Sequence, residues 1–83
     1  LNVQIRFTAE AAFYIRERVW GQNQSIQECE DGSIILSFSA SGIKEIAAWA
    51  LSWGKGARVL EPDILAVRVR DELAGAAAGY GEG

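Results

Sequence analysis

The stretch Gln24-Ser25-Ile26-Gln27-Glu28-Cys29-Glu30-Asp31-Gly32-Ser33-Ile34-Ile35-Leu36-Ser37-Phe38-Ser39 decides the fold. Asp31-Gly32 is a hairpin signal, because both central residues of a two-residue turn favour positive φ. The arms on either side read as antiparallel strands, a polar one from about Gln24 to Glu30 and a return from Ser33 to Ser39. In the return arm Ile34, Leu36 and Phe38 alternate with Ile35 and Ser37, and that period puts the first three on the buried side.

Upstream of the hairpin, Val3, Ile5 and Phe7 alternate with Asn2, Gln4 and Arg6, which predicts a strand with one buried face. Thr8 is placed to cap a helix. Glu10 falls in its first turn, where the positive end of the helix dipole favours a carboxylate. Ala11 or Ala12, Ile15 and Val19 would form its inward stripe, and Gly21 its end. Downstream, a second helix beginning near Ser41 or Gly42 carries Ile43, Ile46, Ala47, Ala50 and Leu51 on one face, with Gly54 as its stop. A short strand from Ala57 to Leu60 leads to Pro62, whose missing N–H suits the first turn of a helix. That last helix is expected to run to about Leu73. Residues 74–83 are small and glycine-rich, and are expected to form a flexible tail.

The order is β-α-β-β-α-β with an added C-terminal helix, an α+β, ferredoxin-like plan over residues 1–73 with two helices on one face of a four-stranded antiparallel sheet. The open sheet face would carry Gln4, Arg6, Ile35, Ser37 and Arg58. Because this plan serves many functions, the residues on its surfaces must decide between them.

Eighty-three residues make one small domain. A chain of that size buries only about 60% of its unfolded surface, so its stability is expected to be modest or supported by a partner. Its start at Leu1 reads as a cut from a longer polypeptide. No signal peptide is apparent, and no apolar stretch approaches the roughly 18 residues that a membrane span requires. A net charge of −3 argues against an extended phosphate-binding surface, so any DNA contact is expected elsewhere in the parent protein.

One cysteine and no histidine leave neither an intrachain disulfide nor a Cys/His zinc site, and no cofactor is expected. The lone thiol of Cys29 reads as packing rather than redox chemistry. The missing histidine also removes the commonest general base. Glu28, Glu30 and Asp31 cluster near the hairpin, where a solvent-exposed turn is not expected to desolvate them enough for acid–base work, and no nucleophile is paired with a base. The expectation is a cytoplasmic protein that is not an enzyme.

Two surfaces draw functional attention. Arg6 and Arg58 lie on the first and last strands, which are neighbours in the ferredoxin-like order. With Ser37 nearby, they form a candidate ligand site in which two guanidinium groups grip a phosphate or carboxylate. The plainer alternative pairs them with Glu28 or Glu61. Trp49 and Trp53, four apart on the second helix, either widen its buried face or protrude as an aromatic anchor; with Ile35 they are the interface candidates. Trp20 has the same two readings. Arg16, Arg18, Arg68 and Arg70, interleaved with acidic residues, read as solvated surface.

An RNA-recognition module would need outward aromatics on its central strands, where this chain has Gln4, Arg6, Ile35 and Ser37. An acylphosphatase-like enzyme would need a glycine-rich anion loop, where this chain has Phe7-Thr8-Ala9-Glu10. An ACT-like module that binds a small molecule or anion stays open.

The succession Val3 to Phe7, Ala11-Ala12, Asp31-Gly32, Trp53-Gly54, Val59-Leu60-Glu61-Pro62 and Tyr80 resembles the C-terminal extension (WCX) domain of bacterial WYL-domain transcriptional regulators, over nearly the whole chain. The resemblance implies a parent with an N-terminal helix-turn-helix that binds DNA, a WYL domain that senses an effector, and this extension, which helps hold a homo-oligomer together and relays the signal. The partner it implies is a WYL domain of the same or a neighbouring subunit, with no membrane involved.

Overall fold

The computed structural model describes residues 1–81, in the order β1 (Asn2–Phe7), α1 (Ala9–Ile15), β2 (Gln22–Glu28), β3 (Ile34–Ser39), α2 (Ile43–Leu51), β4 (Ala57–Glu61) and α3 (Asp63–Gly81). A 3₁₀ turn at Gly54–Gly56 joins α2 to β4. The strands form one sheet in the order β2-β3-β1-β4, with every pairing antiparallel. This is the ferredoxin-like α+β arrangement that the hairpin and its flanks predict.

One face of the sheet carries the core. Val3, Ile5 and Phe7 of β1 and Ile34, Leu36 and Phe38 of β3 are buried against Ala11, Ala12 and Ile15 of α1 and Ile46, Ala47 and Ala50 of α2. Thr8 caps α1 as expected, its backbone extended and its Oγ1 accepting the Ala11 N–H at 3.4 Å.

Helix α1 is shorter than its apolar spacing predicts. It stops at Ile15, and Val19, expected in the inward stripe, is 83% exposed. The indole Nε1 of Trp20 donates to the Ile15 carbonyl at 2.8 Å, taking the acceptor that a continuing helix would offer to Val19. The side chain of Gln24 holds the loop after it, accepting the Trp20 N–H at 2.5 Å and donating to the Arg18 carbonyl at 3.1 Å. Gly21 is therefore not a helix stop. A Cβ there would lie 2.6 Å from Cδ2 of Phe38, so the residue is glycine because the chain passes over that ring.

The hairpin exists, but its turn differs in type. Only Gly32 has positive φ (87°), the Gly32 N–H donates to the Cys29 carbonyl at 3.1 Å, and the Cys29 N–H donates to the Ser33 carbonyl at 2.9 Å. The result is a three-residue loop, Glu30-Asp31-Gly32, closed by a glycine bulge. Asp31 keeps negative φ because its carboxylate accepts both the N–H (3.0 Å) and the hydroxyl (2.5 Å) of Ser33, a local bond that competes with the tighter turn. The longer loop ends β2 at Glu28, short of Glu30, and the strand itself begins at Gln22 rather than about Gln24.

Helix α3 follows Pro62, whose carbonyl accepts the N–H groups of Leu65 (3.0 Å) and Ala66 (3.1 Å). Leu65 and Val69 are buried against the domain, and every described residue from Arg70 onward is exposed. The segment expected to be a flexible tail is helical as far as Gly81. No proline interrupts it, and Ala74, Ala76, Ala77 and Ala78 are strong helix formers. Glu82 and Gly83, the end of the expected tail, lie outside the described residues.

Candidate functional site

The face of the sheet opposite the core is built in two rows. Gln27, Ile35, Arg6 and Arg58 lie side by side across β2, β3, β1 and β4. Ser25, Ser37, Gln4 and Glu61 form the next row, where a β-bulge between Gln4 and Ile5 shifts the register of β4. Alternation along each strand sends these side chains away from the core, so the expected set Gln4, Arg6, Ile35, Ser37 and Arg58 does share one surface.

Arg6 and Arg58 are direct cross-strand partners. Like charges placed opposite each other disfavour the sheet unless something offsets them. For Arg6 the offset is a latch on the hairpin: its Nε donates to Ser33 Oγ at 3.2 Å and its Nη2 to Asp31 Oδ2 at 3.2 Å. The hydroxyl and backbone N–H of Ser33, with Arg6 beside them, hold the Asp31 carboxyl below its ordinary pKa. The carboxylate that meets Arg6 is thus Asp31, not Glu28 or Glu61. Glu28 pairs instead with Arg16 in a two-pronged contact, Nε to Oε2 at 3.0 Å and Nη2 to Oε1 at 2.6 Å. That contact lowers the Glu28 pKa and raises that of Arg16. Arg58 makes no ion pair or side-chain hydrogen bond among the described residues.

Ser37 stands one row from the arginines and is half-buried between Ser25 and Gln4; Ile35, also half-buried, separates Gln27 from Arg6. Ile35 is the apolar member of an otherwise polar face.

Trp49 and Trp53 are not a protruding pair. Both are half-buried against the core in a cluster with Phe7, Trp20 and Phe38, with ring centroids 5.2 to 6.2 Å apart and mostly edge-to-face. They widen the buried face of α2. The bare apolar surface lies elsewhere. Phe13 and Tyr14 of α1 are exposed and stack edge-to-face at 5.4 Å. On α3 the spacing Ala66, Val69, Leu73, Ala76, Tyr80 continues one stripe from the packed half into the exposed half. That continuation was readable from the spacing alone, whereas the Asp31–Ser33–Arg6 latch joins residues 25 and more apart in sequence and has no local signal.

None of the described helices is long and apolar enough to cross a membrane. No curated protein is significantly similar to the chain. A family model for the WCX domain matches residues 1–77. With nearly the whole length matched and the sheet order in place, the chain belongs to the WCX domain family.

Proposed function

We propose that this domain is a regulatory and assembly module, not an enzyme, within a cytoplasmic bacterial DNA-binding transcription regulator. Its partner is a WYL domain of the same or a neighbouring subunit, DNA being bound by a separate helix-turn-helix domain. Membership of the WCX family supports the reading.

The observation that carries it is the outer half of α3. From Arg70 to Gly81 the helix is exposed throughout, yet it continues the stripe that packs Ala66 and Val69, with Leu73 at 42% and Tyr80 at 90% exposure. It also contains Gly75 and Gly79 in its interior, each costing about 1 kcal/mol relative to alanine. Among the described residues, nothing beyond the helix's own adjoining backbone comes within 4 Å of where a Cβ on these glycines would sit. A helix of such marginal propensity gains its stability from tertiary packing, and contact with a WYL domain or a second subunit supplies it. An effector that favours one such arrangement over another would shift the population of regulator states and so the spacing of the DNA-binding helices.

Sedimentation of the domain, alone and with the WYL domain of its parent, tests this. The expected result is association that a Leu73→Asp/Tyr80→Asp variant loses while its fold, by circular dichroism, stays intact. A wild-type domain that neither self-associates nor binds the WYL domain would overturn the reading.

A further inference from the structure

At the hairpin end of the open sheet face, the 3₁₀ turn before β4 meets β1 and the β2–β3 loop in a cleft of about 300 Å³. Arg6, Lys55 and Arg58 line it together with Asp31, three cationic side chains against one carboxylate, an excess of two positive charges in a chain whose net charge is −3. We infer that this cleft is a binding site for a phosphate group, free or as a phosphomonoester, gripped by Arg58 and Lys55 with Arg6 as the fixed third donor.

The roles follow from what each side chain already does. Arg6 is held in place through Nε on Ser33 Oγ and Nη2 on Asp31 Oδ2, which leaves its Nη1 without a partner among the described residues. A guanidinium clamped on one edge presents its remaining N–H groups in a known direction, so less rotamer entropy is lost when a ligand arrives. Arg58 stands directly across from it, and neither Arg58 nor Lys55 has an ion-pair partner among the described residues. Asp31 is engaged with Ser33 and Arg6, so it fixes one cation without neutralising the other two. A dianion between Arg6 and Arg58 would turn their cross-strand repulsion into two charge-assisted contacts. Phosphate suits the cleft better than a carboxylate because its charge matches the excess of two, and the Thr8 hydroxyl on the same wall adds a neutral donor.

The experiment is titration of the domain with inorganic phosphate at constant ionic strength. It is read by thermal stabilisation and by amide chemical shifts, and repeated for Arg58→Gln and Lys55→Gln, whose exposed side chains are not needed for folding. The expected result is stabilisation beyond that of chloride, with shifts centred on residues 6, 8, 33 and 55–58, and binding about tenfold or more weaker in Arg58→Gln. A nucleoside 5′-monophosphate and its unphosphorylated nucleoside, titrated in parallel, identify the source: tighter binding of the monophosphate points to an ester, equal binding to free phosphate. Stabilisation no greater than chloride gives, or binding that Arg58→Gln and Lys55→Gln leave unchanged, would overturn the assignment. Because no residue of α3 lines this cleft, the Leu73→Asp/Tyr80→Asp variant should keep phosphate binding, and loss of phosphate binding and loss of assembly are thereby separable.

Discussion

Gly21 lies against the ring of Phe38, so closely that a Cβ on the glycine would sit 2.6 Å from Cδ2. The loop after α1 is thereby drawn onto the end of β3, and Phe38, 6% exposed, is closed off from solvent. Gly21→Ala should force the ring or the loop to move and destabilise the domain by about 1–3 kcal/mol, the usual range for overpacking. Urea unfolding checks this; an unchanged midpoint would mean that the loop yields freely.

Trp20 and Trp53 differ in how their indole N–H groups are satisfied. Trp20 Nε1 donates to the Ile15 carbonyl, whereas Trp53 Nε1 is buried without a partner among the described residues. Trp20→Phe removes this bond and leaves the Ile15 carbonyl only the longer contact from the Arg18 N–H (3.4 Å), and should cost about 1 kcal/mol. Trp53→Phe removes an unsatisfied donor and should cost clearly less. Denaturation of the two variants side by side reads the difference, and equal losses would contradict it.

The halves of α3 should separate by mutation. Leu65 is fully buried, so Leu65→Ala should lose about 2–5 kcal/mol by cavity formation. Tyr80→Ala, at a side chain 90% exposed, should leave the unfolding midpoint of the isolated domain within about 0.5 kcal/mol of wild type. Amide hydrogen exchange should likewise protect the helix around Leu65 and Val69 far more than the turns beyond Leu73.

Acid should weaken the hairpin latch. Asp31 and Glu28 both titrate below their ordinary values in the folded protein, Asp31 through Ser33 and Arg6 and Glu28 through Arg16. A carboxyl with a depressed folded pKa contributes stability that is present above its unfolded pKa and lost as pH falls through the folded one. Melting temperature should therefore be flat near neutrality and fall as pH drops through and below the ordinary carboxylate range. Asp31→Asn should lower stability at neutral pH and flatten that fall. Melts across this range test it, and an identical pH profile in the variant would remove Asp31 as a contributor. Both carboxylates are solvent-exposed, so added salt should shrink the effect.

The sheet face was legible in advance because strand alternation is a local rule. Once Val3, Ile5 and Phe7 are inward, Gln4 and Arg6 must be outward, and the same logic brings Ile35, Ser37 and Arg58 to that surface. The partner of Arg6 was not legible, since Asp31 reaches it only after a three-residue loop has folded the hairpin back over β1. The helix ends failed for a related reason. Val19 keeps the spacing of a buried residue, but the bond from Trp20 to the Ile15 carbonyl ends α1 first. The tail composition suggested fraying because glycines are poor helix formers, while the alanines between them carried α3 to Gly81.

By itself, then, the order of apolar periods determined the β-α-β-β-α-β plan, the buried faces of β1, β3 and α2, and the membership of the open face, all of which follow from neighbours a few residues apart. Only the tertiary structure decided which carboxylate holds Arg6, that Arg58 lies opposite it without a carboxylate partner among the described residues, and that Trp49 and Trp53 are packed against Phe7 while the outer half of the stripe on α3 is bare. Those outcomes depend on register and on groups distant in sequence, where one residue of shift reverses a side chain's direction.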